Sequence, residues 1–368
     1  MDLQLFQNLG AELEKSLGEI TTKCTQCKRC VRDCAFLRRN GDPNELAQKF
    51  QNGTLDVKII FSCSLCQLCT AVCTENIDPN RMLWLMRGWA VAKGQVDYSL
   101  FRGILNYERL GFSPLFRLEL VTQGCKTLFF PGCATAGSRP HQLMHVIRLL
   151  RKQIPDLGVM LNCCGKPSHD LGRLEYFEDK WRSIENRLTV LGIETVLTAC
   201  PSCHQVFQQY ATGVTVKSLY QVIDISGEQQ TLSRRKNIRI HDPCTSRFDT
   251  ETQRAVRSLT RMLGFDHTEM RHHGKSTFCC GEGGSVACID RELAKLWVGK
   301  RAQEADGSEV VTYCGGCAHF LSQSLVVTHI LDVLLERHPD TARAVSVSRF
   351  PLTYFNRLML KLKLWCGF

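Results

Sequence analysis

The 368 residues predict an α+β multidomain protein, an α-helical amino-terminal domain followed by two repeated α/β domains. Three observations predict it. Before residue 94, apolar residues recur at helical spacing. From residue 125, short β-rich runs alternate with helical stretches. In that second part five cysteines recur twice in the same order, with corresponding positions offset by 111, 116 and 114 residues.

Residues 1–20 read as an amphipathic packing helix, with Leu3, Phe6, Leu9, Leu13 and Leu17 on one side. Residues 21–93 follow as the first domain, defined by two cysteine runs. One is Cys24-Thr-Gln-Cys27-Lys-Arg-Cys30-Val-Arg-Asp-Cys34. The other is Cys63-Ser-Leu-Cys66-Gln-Leu-Cys69-Thr-Ala-Val-Cys73. Both have the spacing C-x2-C-x2-C-x3-C of bacterial ferredoxins with two [4Fe–4S] clusters. Two residues between ligands let the backbone wrap one corner of a cube, and the fourth cysteine serves the neighbouring cluster. Cys24, Cys27, Cys30 and Cys73 are therefore assigned to one cubane, and Cys63, Cys66, Cys69 and Cys34 to the other. Zinc sites more often show paired CxxC units. Ala35 and Thr74 stand where ferredoxins usually carry proline, which is not a ligand.

Between the runs, Gly41-Asp42-Pro43 and Gly53 mark turns around a short helix. After the second run Asp78 caps a helix over 79–93, with Pro79 at its first position. Its stripe of Met82, Leu85, Met86 and Trp89 reads as core. Residues 94–124 read as a connector.

Composition narrows the class. Twenty-one cysteines in a long globular chain argue against a short secreted disulfide scaffold and for metal ligation in a reducing cytoplasm. The first residues lack the basic and apolar run of a secretory signal. No stretch approaches the roughly 20 apolar residues of a spanning helix. The formal charge of +10 falls to about +6 once two oxidised cubanes of about −2 each are counted, so much of the basic excess offsets cluster charge. No nucleic-acid motif is present.

The α/β part divides into 125–235 and 236–338. Expected strands are Thr127–Phe130, Gly158–Leu161, Thr195–Thr198, Ile238–Ile240 and Val310–Thr312, several ending just before a cysteine. That places the cysteines at carboxyl ends of strands, where α/β folds hold ligands. The first copy is Cys133, then Cys163-Cys164-Gly165, then Cys200-Pro-Ser-Cys203. The second is Cys244, then Cys279-Cys280-Gly281, then Cys314-Gly-Gly-Cys317. Adjacent residues of a strand point to opposite faces. Gly165 and Gly281 supply the backbone bend that brings both thiols to one site. Five thiolates exceed the needs of a four-iron cube, so one bridges irons or is a spare redox thiol. A zinc site with three or four thiolates is the main alternative, more for the first copy than the second.

Both copies resemble the CCG cysteine-rich domain, over about 125–330. With the ferredoxin-like part, the chain resembles the D subunit type of heterodisulfide reductase, a fusion of ferredoxin-like C and cysteine-rich B subunits. It is also similar to iron–sulfur subunits of glycolate oxidase, lactate-utilisation enzymes and anaerobic glycerol-3-phosphate dehydrogenase. Phe130-Pro-Gly-Cys133, His241-Asp-Pro-Cys244 and Cys279-Cys-Gly-Glu-Gly-Gly284 carry the likeness. The resemblance implies that Cys133, Cys163, Cys164, Cys200 and Cys203 hold one non-cubane [4Fe–4S] cluster. It implies that Cys244, Cys279, Cys280, Cys314 and Cys317 hold a second, with zinc the alternative in one site. The ten then act catalytically, on a disulfide split between the two clusters.

The resemblance implies an oxidoreductase acting on a small thiol/disulfide pair, in either direction. The alternative is an electron-transfer subunit linking a flavin dehydrogenase of hydroxyacids or glycerol 3-phosphate to quinone. A third reading is a zinc-binding scaffold. No GxGxxG lies in a strand–turn–helix context, so the flavin belongs to a partner oxidoreductase subunit, with a membrane cytochrome or quinone-reactive subunit as the further partner. Cys125, Cys288 and Cys366 read as ordinary cysteines. His169, His204, His241, His272 and His273 are candidate proton donors. The tail, 339–368, is basic and amphipathic, with Arg343, Arg349, Arg357, Lys361 and Lys363 among apolar residues. It reads as a membrane-surface or partner contact, or as a helix packed on its own domain. The expected location is cytoplasmic, peripheral on the inner membrane face if the tail binds lipid.

Overall fold

The computed structural model describes residues 3–226, 236–334 and 351–367. Met1, Phe368 and the tail positions Arg343, Arg349 and Phe350 lie outside the described residues. The amino-terminal helix spans Leu3–Lys23 and packs along the helix Pro79–Ala92. Phe6 stacks on Trp89 with ring centroids 4.9 Å apart. Leu9, Leu13, Leu17, Ile20, Met82, Leu85 and Met86 form the shared core. Short helices carry the two cysteine runs between them. Asp42 caps the helix Pro43–Gln51 by accepting from Glu45 N at 2.9 Å. Asp78 caps the Pro79 helix through Arg81 N at 3.0 Å, as the sequence predicts.

The first α/β domain holds strands β1 (Leu118–Leu120), β2 (Thr127–Phe130), β3 (Gly158–Leu161), β4 (Thr195–Thr198) and β5 (Thr215–Ser218), in the order β1-β3-β2-β4-β5. The second holds β6 (Lys236–His241), β7 (Phe265–Glu269), β8 (Val310–Thr312) and β9 (Val327–His329), in the order β7-β6-β8-β9. All pairs are parallel except β1 on β3. With β1 set aside, the two sheets have the same topology, so the repeat in sequence is a repeat in structure. The five expected strands are present, and β6 is longer than expected. The connector 94–124 contains a helix at Arg102–Gly111 and then β1, which pairs Leu118 with Leu161 and covers an otherwise open sheet edge.

The tail forms a helix over Leu352–Cys366 that packs on the helices Cys133–Ser138 and Pro140–Gln153 of the first α/β domain. Leu360 and Leu364 are fully buried there. Phe355, Leu362 and Trp365 face outward and are exposed. Buried arginines join the domains. Arg87 donates to the carbonyls of Ile60, Asp170 and Gly284, so one side chain ties all three domains. Arg247 donates to Cys66 O at 2.9 Å. Arg139 pairs with Asp332 across the two α/β domains at 2.9 Å.

Candidate metal centres

Both cysteine runs of the first domain interleave. Cys24, Cys27, Cys30 and Cys73 line one cavity. Burial pushes the Cys30 thiol up to about 12, and the neighbouring thiols of Cys24, Cys27 and Cys73 add to it. Cys34, Cys63, Cys66 and Cys69 gather in a second group, deeper in the protein; burial raises Cys69 and the other three thiols add to it. The buried thiols of Cys30, Cys34, Cys66 and Cys69 are held protonated at neutral pH. A bound cation reverses this, since a coordinating thiol is deprotonated outright. Two groups of four thiols fit four-iron clusters.

In the α/β domains the cysteines follow strand ends. Cys133, Cys163 and Cys200 come within three residues of the ends of β2, β3 and β4. Cys244 and Cys314 follow β6 and β8 in the same way, while Cys279 lies at the end of a longer loop after β7. Gly165 has φ 78° and Gly281 φ 98°, the bend that turns both adjacent thiols inward. A Cβ on Gly281 would stand 2.6 Å from Ala294 O, so only glycine fits.

The five thiols of each repeat touch in the same sequence. Cys133 Sγ lies 3.7 Å from Cys163 Sγ. Contacts continue from Cys163 to Cys164, Cys203 and Cys200. In the second repeat they run from Cys244 through Cys279, Cys280 and Cys317 to Cys314. Donation from Cys163, with Cys203 adding, draws the Cys164 thiol down to about 6. All ten sites are buried except Cys133, which is partly exposed. Soft donors this dense suit iron–sulfur clusters or zinc.

Nine of these ten cysteines, all but Cys279, line one cavity of about 210 Å³. Lys166 and Glu282 also line it, each two residues after the second cysteine of its CC pair. Burial pushes the Glu282 carboxyl up to about 7, Cys279 adds to this, and Lys166 opposes it. The Glu282 carboxylate occupies the space a Cβ on Gly316 would need. Gln67, Gln205 and Gln209 line both an outer groove of about 1140 Å³ and a cleft that shares Lys166 and Asp170 with the cavity. These glutamines thus border both the groove and the cleft, and the cleft meets the cavity wall at Lys166 and Asp170.

The second repeat, rather than the first, abuts the deeper four-cysteine group. Burial raises Cys66 to about 12, and Cys279 is the next contributor. A Cβ on Gly283 would stand 2.4 Å from Ser64 O, and one on Gly284 2.5 Å from Cys63 O. The Gly283-Gly284 pair therefore lets the second cysteine run pack directly against the second five-cysteine site. Sequence reasoning missed this neighbour relation, together with Arg87 and Glu282. The glycine pair after CCG was the available signal.

Most candidate histidines stand away from the cavity. His169 is held between Asp170 at 2.9 Å and Tyr210 at 2.8 Å. His204 Nδ1 lies 2.9 Å from Thr198 Oγ1 and its Nε2 3.1 Å from Asp249. His272 pairs with Glu304, and His273 lies 2.8 Å from Met270 O. His241 alone of the five sits beside thiols of the site, those of Cys280 and Cys317.

Residues 23–78 match the 4Fe-4S dicluster domain, and residues 127–208 and 238–322 each match the Cysteine-rich domain abbreviated CCG. It is an iron–sulfur electron-transfer chain. A relative in Chromohalobacter salexigens, a probable membrane-anchored ferredoxin, is 23% identical over 322 residues. The match covers 76% of the electron-transfer chain and 47% of that protein, so the chain spans about half the relative's length. No helix among the described residues is long and apolar enough to cross a membrane.

Proposed function

We propose that this electron-transfer chain is a heterodisulfide-reductase-like subunit that cleaves or forms a disulfide between its two five-cysteine sites. The shared cavity carries the reading: five cysteines of one repeat and four of the other line the same 210 Å³ space. A disulfide in that space would face one site with each sulfur. The reaction takes RS–SR′, two electrons and two protons to RSH and R′SH. The bound clusters would supply one-electron storage at each site. In the order in which the sites abut, electrons would enter at Cys24, Cys27, Cys30 and Cys73, pass the Cys34, Cys63, Cys66 and Cys69 group, and reach the second repeat before the first. The protein's own part is to hold the two sites at one spacing and to present Lys166, Glu282, Ser202 and Thr245 to the substrate. A flavin-containing subunit would provide the electrons.

The test is iron, zinc and sulfide content of the anaerobically purified chain, with electron paramagnetic resonance (EPR) before and after a thiol is added. About sixteen irons and a thiol-dependent change support the reading. About eight irons, or a spectrum that thiols leave unchanged, overturns it.

A second reading, an electron relay to a membrane quinone pool, draws on the tail helix. Its exposed Phe355, Leu362 and Trp365, with the basic Lys363, suit an anionic bilayer surface. In that case Cys-to-Ser changes in the first repeat would leave electron transfer intact.

A further inference from the structure

One buried group beside the thiols has no role in the reading above. His241 ends β6, three residues before Cys244, and is fully buried. Neither of its ring nitrogens has a hydrogen-bond partner among the described residues. The other buried histidines each keep at least one. His169 has Asp170 and Tyr210, His204 has Thr198, and His329 Nδ1 accepts from Leu331 N at 3.2 Å. A polar ring buried without a partner is costly, and such groups normally point to an unseen ligand or ion.

What the ring faces is specific. One ring nitrogen of His241, Cys280 Sγ and Cys317 Sγ all lie within 4.8 Å of one another. All three residues are buried. That is the spacing of donors converging on one cation, and neutral imidazole with thiolates is a common donor set for iron and zinc.

The first repeat lacks this donor. The residue three before Cys133 is Phe130, which is fully buried and packs on Phe207 with ring centroids 4.9 Å apart. The two five-cysteine sites share topology and thiol order, yet one has a phenyl ring where the other has an imidazole.

We propose that His241 is a nitrogen ligand of the metal centre in the second five-cysteine site, so that this centre has mixed thiolate and imidazole ligation while the first has thiolates alone. This rests on the reading that the second site holds a metal. Where His241 takes the place of one of the five thiolates on an iron–sulfur centre and leaves that thiol spare, the neutral imidazole raises the reduction potential. The centre nearest the deeper four-cysteine group would then be the more easily reduced of the two, and the repeats would be unequal in the electron sequence.

The test uses the full chain, purified anaerobically with natural and with 15N-labelled histidine. Pulsed EPR on partly reduced samples, and iron and zinc X-ray absorption, read the ligand directly. The expected result is a nitrogen coupling of directly bound imidazole that changes with the isotope, or a nitrogen scatterer at zinc. His241→Phe, which copies the first repeat, should lose that signal and shift the centre's midpoint potential downward. If the variant does not fold, the isotope comparison on the natural chain decides alone. Full metal occupancy of the second site without any nitrogen signal overturns the ligand assignment and leaves the disulfide reading standing. If Cys244→Ser with Cys317→Ser leaves the metal content of the natural chain unchanged, the second site holds none, and both fall.

Discussion

Arg87 Nη1 donates to the carbonyl of Gly284 at 3.1 Å, across 197 positions of sequence. The same guanidinium reaches Asp170 O at 2.8 Å and lies over the Phe61 ring at 5.0 Å. The planar guanidinium serves four carbonyls, those of Ile60, Cys63, Asp170 and Gly284, one more than the three N–H groups of a lysine could. Arg87→Lys is therefore expected to destabilise nearly as much as Arg87→Leu. Each should cost about 3–5 kcal/mol, because carbonyls are left buried and unpaired. Thermal unfolding of the metal-loaded chain measures it. Tm values for Arg87→Lys within a degree or two of the natural chain would sink the idea.

Gly316 and Ser202 occupy corresponding places in the two CxxC motifs, and Gly316 faces the Glu282 carboxylate. Gly316→Ala should displace Glu282 and lower metal retention at the second site. Ser202→Ala, made at the corresponding place in the first repeat, should leave metal content unchanged. Iron and zinc analysis of both variants, side by side, checks the contrast.

Glu108 is buried and accepts from Ser168 N at 2.9 Å. Burial pushes its carboxyl from 4.5 up to about 7. The folded state therefore holds its proton where the unfolded chain has lost it. Its contribution is fully present below the unfolded value and is lost as pH rises through about 7. Tm should fall as pH rises from about 4.5 to about 7 and level off above that, by an amount worth up to roughly 3 kcal/mol in all. Glu108→Gln should flatten that fall. Equal slopes for the two proteins would refute it.

Cys27 is exposed, whereas Cys34, Cys63 and Cys66 are buried. Oxidant or chelator should strip the outer group of the first domain before any other. About four irons should leave in a distinct early phase. Uniform loss from all sites, followed by iron release and EPR together, would contradict this order.

On the tail helix, Leu360→Ala should cost about 2–5 kcal/mol, since Leu360 is fully buried. Trp365→Ser with Phe355→Ser should leave stability within about 0.5 kcal/mol, because both residues are exposed. If the outward face meets lipid, the same double variant should partition several-fold less into anionic vesicles. Unchanged partition removes the membrane role and leaves only packing.

Much of the site was legible because cysteine spacing is a covalent constraint of cluster geometry. Cys24 to Cys73, and the two five-cysteine sets, can be grouped from spacing and repeat alone. The strands β2, β3, β4 and β8 are short apolar runs and could be read directly. The missed strands have less local signal. β5 reads Thr-Val-Lys-Ser with an exposed edge, and β7 reads Phe-Asp-His-Thr-Glu with polar positions. Both take their identity from the sheet beside them rather than from their own pattern. β1 is three residues long and joins by pairing with Leu161, a contact that sequence does not announce. The role of Arg87 was illegible for the same reason, since its partners come from three separate domains.

The buried Arg139–Asp332 pair has a last consequence. Arg139 Nε lies 2.9 and 3.1 Å from the two carboxylate oxygens, and both side chains are almost wholly shielded from water. Nearby, the Tyr220 hydroxyl donates to Ala199 O or Tyr313 O, each 3.3 Å away, the residues just before Cys200 and Cys314. These bonds act as a fixed caliper. Opening the two repeats like jaws would strand a charge in the interior, so the gap between the sulfur-lined walls keeps one width. Molecules would be sorted by how well they span that width, not by how far the protein can stretch to meet them.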